Sequence, residues 1–368
     1  MAKPIRVLQV VPILGYGGVE KIVTRYFDNI DHSKVMFDFV AHGDYEPYHD
    51  RLTNMGCKIY YLPTLGKAGY KGYKKAVKEQ IPLNEYDIIH IHIGHITGLY
   101  ASVFRLLCNA KIICHAHTTK CMSRSAFLMP AFRAMSVVFS NRLLACGRDA
   151  GKFCFGGAKF DVVPNAISLD VLNSVTPEQI DTLKSQLKID KDTRVIGHIG
   201  HFSSPKNHPF LMAIIRDYVK KYPNTKFVLV GDGPDKSSIE LLADQYGISD
   251  SVIFTGVRTD ALVFMKMFDV FLLPSLHEGL PLVGIEAQAA GTPCVFSNTI
   301  DKTVDAGVGI AKFLPIDNGT DVWVEEINNI LIDGKKLTND QIYNGFCNSG
   351  YEISVATQKL LKIYQQLS

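Results

Sequence analysis

Hydrophobic positions along the chain fall into two alternating kinds of segment. Short β-branched runs, apolar through their middles, are followed by longer stretches with apolar residues at helical spacing. In the first half the runs are IRVLQVV (5–11), MFDFVAH (36–42), KIYYLP (58–63), DIIHIHI (87–93), AKIICHAH (110–117), RLLACG (142–147) and FDVVPN (160–165). Continuous apolar runs of this kind, rather than strict alternation, suit strands covered on both faces and predict parallel sheets. A polar, helix-like stretch, TPEQIDTLKSQLKIDKDT (176–193), then separates the halves. The pattern restarts with RVIGHIG (194–200), KFVLVG (226–231), SVIFTG (251–256), VFLLPS (270–275) and PCVFS (293–297). The expected architecture is α/β: two Rossmann-like, doubly wound parallel-sheet domains, 1–170 and 171–351. A closing amphipathic helix, ISVATQKLLKIYQQL within 352–368, is expected to pack back on the first domain. Ligands of open parallel sheets bind beyond the carboxyl ends of the strands, so two facing halves would place that rim in a cleft.

Composition narrows the class. A length of 368 residues is more than one ordinary core serves, in keeping with two domains. With 47% hydrophobic and 20% charged residues the chain reads as globular, and a net charge of +3 is too mild to indicate nucleic acid. The opening MAKPIRVLQVVPILGYGG has a short apolar run leading into a glycine turn, unlike a signal peptide. No stretch approaches the roughly 18 apolar residues of a membrane helix. Eight cysteines in a chain without an export signal are expected as reduced thiols, which points to the cytosol.

Candidate chemistry gathers at the strand ends. GYGGVE (15–20) follows the first strand; Gly17 and Gly18 let backbone amides approach a ligand, and the helix start behind them favours an anion. The spacing is not GxGxxG and no acidic ribose partner follows, so a dinucleotide site is not expected; a plain strand-to-helix turn explains the motif equally well. In GHFSSPKNH (200–208), Ser203 or Ser204 is expected to cap a helix with Pro205 in its first position. That puts Lys206 in the first turn, where the dipole disfavours a cation unless an anion binds, with His201 close by. In HEGLPLVGIEAQAAGTPCV (277–295), Glu278 directly follows a buried strand, Gly279 and Leu280 turn, Pro281 starts a helix, and Gly291 ends it. Glu286 lies a little over one turn into that helix. Two acids flanking the free amides around Leu280 and Leu282 suit a ligand with hydroxyls at each end and phosphate at its centre, such as a nucleotide sugar.

CHAHTTKC (114–121) raises a metal question. On a strand His115 and His117 share one face while Cys114 faces the other way, and no CxxC pair exists, so a structural zinc clamp is not expected. HIHIGH (90–95) adds three histidines at a neighbouring strand end and leaves a metal open at this point.

The Glu-x7-Glu element resembles that of glycosyltransferase family 4, retaining enzymes of the GT-B fold. GYGGVE, HAHTT, ACGRDAGKFCFG, VVPNAI, GHFSSPKNH and LVGDGP occur in the family's order over nearly the whole chain. The combination is similar to bacterial enzymes of exopolysaccharide and capsule assembly. The resemblance implies that Glu278 bonds donor-sugar hydroxyls, Glu286 the ribose, and Lys206 the diphosphate. His117 would stand at the sugar's reacting side as a catalytic residue beside Glu278, with His115 packed behind it. Gly233 of GDGP (231–234) would lie near the nucleotide, and Val257 and Arg258 near the base. Family members usually carry arginine where His201 stands; histidine supplies a hydrogen bond without a permanent charge. With no DxD-type motif, no metal and no cofactor are expected. The implied reaction is metal-independent hexosyl transfer from a nucleotide diphosphate sugar, by analogy a UDP-sugar, to a glycan or lipid-linked acceptor held by the first domain. A same-fold UDP-sugar 2-epimerase and a non-catalytic nucleotide-sugar-binding subunit are the alternatives. The lysines and tyrosines of GKAGYKGYKKAVKEQ (66–80) and the mixed KCMSRSAFLMPAFRAM (120–135) would make a peripheral membrane patch if the acceptor is lipid-linked, or otherwise a solvated helix face and core packing.

Overall fold

The computed structural model describes residues 3–15, 17–43, 47–119, 127–170, 174–278, 280–334 and 336–368. The chain forms two compact units, Met1–Ala166 with Ile353–Ser368, and Ile167–Glu352.

The first unit carries a sheet of β1 (Ile5–Val10), β2 (Val35–Ala41), β3 (Ile59–Tyr61), β4 (Ile88–Ile91), β5 (Lys111–Ala116), β6 (Arg142–Ala145) and β7 (Asp161–Val162). Its order is β3-β2-β1-β4-β5-β6-β7, with parallel pairing throughout. The second unit has β8 (Arg194–Ile199), β9 (Thr225–Val230), β10 (Val252–Gly256), β11 (Val270–Leu273), β12 (Cys294–Ser297) and β13 (Ala311–Leu314), in the order β10-β9-β8-β11-β12-β13. Counted from its own first strand, each unit reverses direction beside that strand, between β1 and β4 and between β8 and β11. This is the doubly wound order, and the reversal opens a crevice at the strands' carboxyl ends.

Local sequence explains most boundaries. Helix Gly18–Asn29 buries Ile22, Val23, Tyr26 and Phe27, one apolar stripe at helical spacing. Helix Pro177–Gln186 starts with a capping box from Thr176 and Gln179, and helix Asn339–Ser349 with one from Thr338 and Gln341. Apolar side chains cover both faces of the second sheet. Phe268, Phe271, Ile285 and Phe296 belong to one cluster, and Tyr218, Phe227, Leu272 and Trp323 to the other. Helix Ile353–Leu367 belongs to the first unit, where it packs on helix Gly18–Asn29 and sets Tyr364 6.0 Å from Phe37.

Three elements differ from the sequence reading. The expected strand 160–165 shrinks to Asp161–Val162, because Pro164 offers no amide to a ladder. Strand β13 was not expected; it is an edge strand without a fully buried residue, so it lacks the apolar signature of the others. Finally, no long helix starts at Pro205. Ser204–Lys206 is a single 3₁₀ turn, Asn207 takes a left-handed conformation (φ 57°), and the long helix is His208–Lys221. Ser203 makes no side-chain cap there.

Of the basic stretch 66–80, helix Leu65–Gln80 turns Tyr73 and Val77 inward, while Lys67, Lys71, Lys75 and Lys78 are exposed. In the second stretch Met129 and Phe132 are buried and Phe127 is 78% exposed; residues 120–126 lie outside the described residues. Among the described residues no helix is long and apolar enough to cross a membrane.

Candidate functional site

In the second unit the loops that leave β8, β9 and β11 are laced together. Leu276 N donates to Pro205 O (2.8 Å), and Asn207 Nδ2 donates to Pro274 O (3.1 Å). Phe202 N donates to Asp232 O (2.9 Å), and Asp235 N to Phe202 O (3.1 Å). Two glycines permit this approach. Gly231 has φ +137°, and a Cβ on it would lie 2.0 Å from Gly200 O; one on Gly233 would lie 2.3 Å from Phe202 O. Only glycine fits at both positions.

The lacing brings together two residues 72 apart in sequence. Lys206 Nζ donates to Glu278 Oε1 at 2.6 Å, and Ser275 Oγ donates to the same oxygen at 2.7 Å. The two charged side chains keep only 17% and 13% of their exposure. A short, charge-assisted pair of this kind is held firmly, because separating it would strand a charge in a poorly solvated place. The expectation that Lys206 sits uncompensated in a helix's first turn is therefore corrected. It precedes the long helix, and Glu278 balances its charge. Ser275 was missed by sequence reasoning, although a polar residue between a buried strand and Glu278 was a usable signal.

Helix Leu282–Ala289 begins behind this pair with Pro281 as its cap residue and no side-chain cap, so its first amides are not closed off by a local side chain. Glu286 is half-buried on this helix, Leu280 and Leu282 are half-buried at its start, and Gly279 lies outside the described residues. Gly291 closes the helix with φ +79°. His201 is exposed. Arg258 is also exposed and forms a two-point pair with Asp260, Nε to Oδ1 at 2.9 Å and Nη2 to Oδ2 at 2.7 Å.

In the first unit, Gly17 caps helix Gly18–Asn29. Buried Glu20 folds back so closely that a Cβ on Gly17 would lie 2.3 Å from Glu20 Oε2. The chain's own carboxylate thus already faces the positive end of that helix. The sequence reading did not consider this.

The histidines of β4 and β5 do meet. His90, His92 and His115 are buried, His117 is half-buried, and their rings lie side by side, with centroids of neighbouring rings 4.1–5.2 Å apart. Burial holds His117 down at about 4 and the other three well below their ordinary value, so all four are neutral near pH 7. Cys114 faces away, and burial pushes its thiol up to about 12. It is no ligand candidate, and Cys121 lies outside the described residues. Nitrogens of His90, His92 and His115 do come within 4.8 Å of one another, a spacing a metal ion could use. Both ring nitrogens of His90 and of His92 are, however, already engaged by protein partners.

Two doubly wound parallel-sheet units in one chain make the GT-B architecture. Solved structures agree on the fold. Anabaena HepE in complex with UDP superposes with a TM-score of 0.78 over 99% of this chain and 100% of its own, at 17% identity. Residues 179–346 match the family described as "Glycosyl transferases group 1". The "Putative glycosyltransferase EpsF" of Bacillus subtilis (strain 168) is 31% identical over 98% of this chain and 96% of its own length. An Escherichia coli "UDP-Gal:alpha-D-GlcNAc-diphosphoundecaprenol alpha-1,3-galactosyltransferase" is 24% identical over 92% of each. The chain belongs to the group 1 glycosyltransferases.

Proposed function

We propose that this protein is a retaining glycosyltransferase of family 4 that moves a hexose from a UDP-sugar to a lipid-linked or glycan acceptor during assembly of a cell-surface polysaccharide. The observation that carries the reading is the Lys206–Glu278 pair, fixed at the switch point of the second sheet beside a helix start. Relatedness to EpsF over nearly the full chain supports it. So does the E. coli relative, whose name gives a UDP-sugar donor and a diphosphoundecaprenol-linked acceptor.

In this reading Glu278 accepts hydrogen bonds from hydroxyls of the transferred sugar and Glu286 from the ribose. Lys206 neutralises the diphosphate, with His201 adding a hydrogen bond in place of a fixed charge. Amides at Gly279, Leu280 and Leu282 bond phosphate oxygens, Gly233 lets the nucleotide approach the backbone, and Arg258 turns from Asp260 toward the base. Gly17 and Gly18, whose helix start already faces the Glu20 carboxylate, belong to the acceptor-binding unit. As the glycosidic bond to the diphosphate breaks, negative charge grows on the phosphate oxygen. Lysine and helix amides stabilise that charge without a metal or other cofactor. His117 contacts the sugar on its reacting side. In this reading the protein works in the cytoplasm, with peripheral contact at the inner face of the membrane when the acceptor is lipid-linked.

A thermal-shift panel of UDP-, GDP- and ADP-sugars, with and without EDTA, tests the donor site. Stabilisation by UDP-sugars alone, insensitive to EDTA and lost in Glu286→Ala, is the expected result. No stabilisation by any nucleotide sugar would overturn the assignment. Release of UDP only when a polyprenyl-diphosphate-linked sugar is added separates transfer from epimerisation and from mere binding.

A further inference from the structure

Close to the Lys206–Glu278 pair, the second unit holds a side chain that the roles above leave unused. His198 is the last residue but one of β8 and is 1% exposed. Its Nδ1 lies 2.9 Å from Leu272 O on the neighbouring strand β11. A carbonyl oxygen only accepts, so Nδ1 carries the ring's hydrogen. Nε2 is buried and has no hydrogen-bond partner among the described residues. A second hydrogen on it would put a buried cation beside Lys206. Burial above all, then His208 and Lys206, hold the ring well below its ordinary pKa. His198 is therefore neutral near pH 7, and Nε2 presents a lone pair.

That lone pair and the lysine meet at one point. A Cβ placed on Gly200 would lie 2.9 Å from His198 Nε2 and 3.4 Å from Lys206 Cε. Gly200 has no left-handed backbone, so what its missing side chain provides is the space between the ring and the lysine. His208 packs edge-on against the His198 ring, with centroids 4.9 Å apart, and is itself stacked on Phe202 at 4.2 Å. Both nitrogens of His208 also lack partners, but no carbonyl fixes its hydrogen.

An ammonium group has three hydrogens. Glu278 accepts one from Lys206, and in the reading above the diphosphate takes another. The third needs an acceptor within the protein, because a lysine this buried has little water to turn to. A neutral acceptor suits that place, since a second carboxylate would cancel the charge that the diphosphate requires.

We propose that His198 is a positioning residue for Lys206: its Nε2 accepts one ammonium hydrogen as the donor binds, so that the lysine stays between Glu278 and the diphosphate with its charge intact. This rests on the placement of Lys206 at the diphosphate in the reading above.

The test is a double-mutant cycle with Lys206→Ala, read as the affinity of the full-length protein for UDP, or for whichever nucleoside diphosphate binds the wild type, by titration calorimetry. His198→Asn still offers an amide to Leu272 O but has no atom where Nε2 stood. It should weaken binding about tenfold, the lower end for a hydrogen bond to a charged group. In the Lys206→Ala background the same change should cost nothing further, because the partner is gone. A merely structural role would give equal losses in both backgrounds. His198→Gln can place an acceptor near the Nε2 position and should recover most of the affinity. Gly200→Ala sets a methyl group between ring and lysine. It should copy His198→Asn, and it decides the case if that variant does not fold. Equal losses with and without Lys206, or no loss in His198→Asn, overturn the proposal alone. Unchanged affinity in Lys206→Ala, or no nucleoside diphosphate bound by the wild type, overturns the diphosphate role of Lys206 and the proposal with it.

Discussion

The two units share a strand order and place their polar residues at the same point of the sheet, yet fill it with opposite chemistry. At the β8–β11 crevice a lysine and a glutamate carry full charges, held 2.6 Å apart by three interlaced loops. Beside the β1–β4 crevice the polar residues are neutral: four histidines, an amide and a phenol, joined one to the next. The common fold explains the location, because reversal of strand order opens a crevice in each sheet. It does not explain the chemistry. That comes from side chains at strand ends, which the sheet tolerates in either form as long as each buried polar atom finds a partner or awaits one.

The widest divergence between the units is expected in acid. A histidine whose folded pKa is pushed below 6.5 takes up a proton more readily when unfolded. Its contribution is therefore complete above that pH and is lost as pH falls toward the folded value. For His117 the window runs from 6.5 down to about 4, and each such group removes about 1.4 kcal/mol per pH unit inside it. The first unit has four clustered histidines displaced this way; the second has His198 and His208. The first should unfold earlier as pH drops from 6.5 to 4. Because the chain has a single tryptophan, Trp323 in the second unit, its fluorescence should lag the loss of circular dichroism. Coincident transitions would refute this ordering.

Lys206→Ala should come next, lowering sugar transfer about 10²–10³-fold, the usual effect of removing a group that stabilises developing charge. Steady-state kinetics that changed only KM would show that the lysine binds the donor without acting on the leaving group. Gly231→Ala should cost about 1–3 kcal/mol in urea unfolding followed at Trp323, through left-handed strain and the clash with Gly200 O. An unperturbed midpoint would mean that the lacing of the three loops is loose. The smallest effect belongs to Arg258→Ala. Its pair with Asp260 is exposed and should contribute under about 1 kcal/mol, while UDP-sugar affinity falls a few-fold if the side chain reaches the base.

How far the sequence carried the reading depends on the range of the interaction involved. The parallel strands were legible because burial on both faces demands an apolar run within a few residues, as in VFLL and CVFS. The helix behind Glu278 was legible because Pro281 and Gly291 punctuate it locally. Ser-Ser-Pro misled at 203–205, since the same residues serve a 3₁₀ turn as well as a helix start, and left-handed Asn207 settled which. Gln9 stood as a polar residue within an apolar strand, a signal that could have been used. Tyr364 carried none, because nothing nearby in sequence marks it as the partner of a residue 355 positions away.

Sequence alone determined the kinds of segment, their order, and which charged and hydrogen-bonding residues stand at the strand ends, because these follow from burial pattern, backbone restriction and side-chain chemistry within one turn or strand. Only the tertiary structure decided which of those residues answer one another. Lys206 meets Glu278, and Gln9 meets Tyr364, because crossovers in the sheets bring remote elements together. There, each polar group removed from water must take whatever partner the fold supplies.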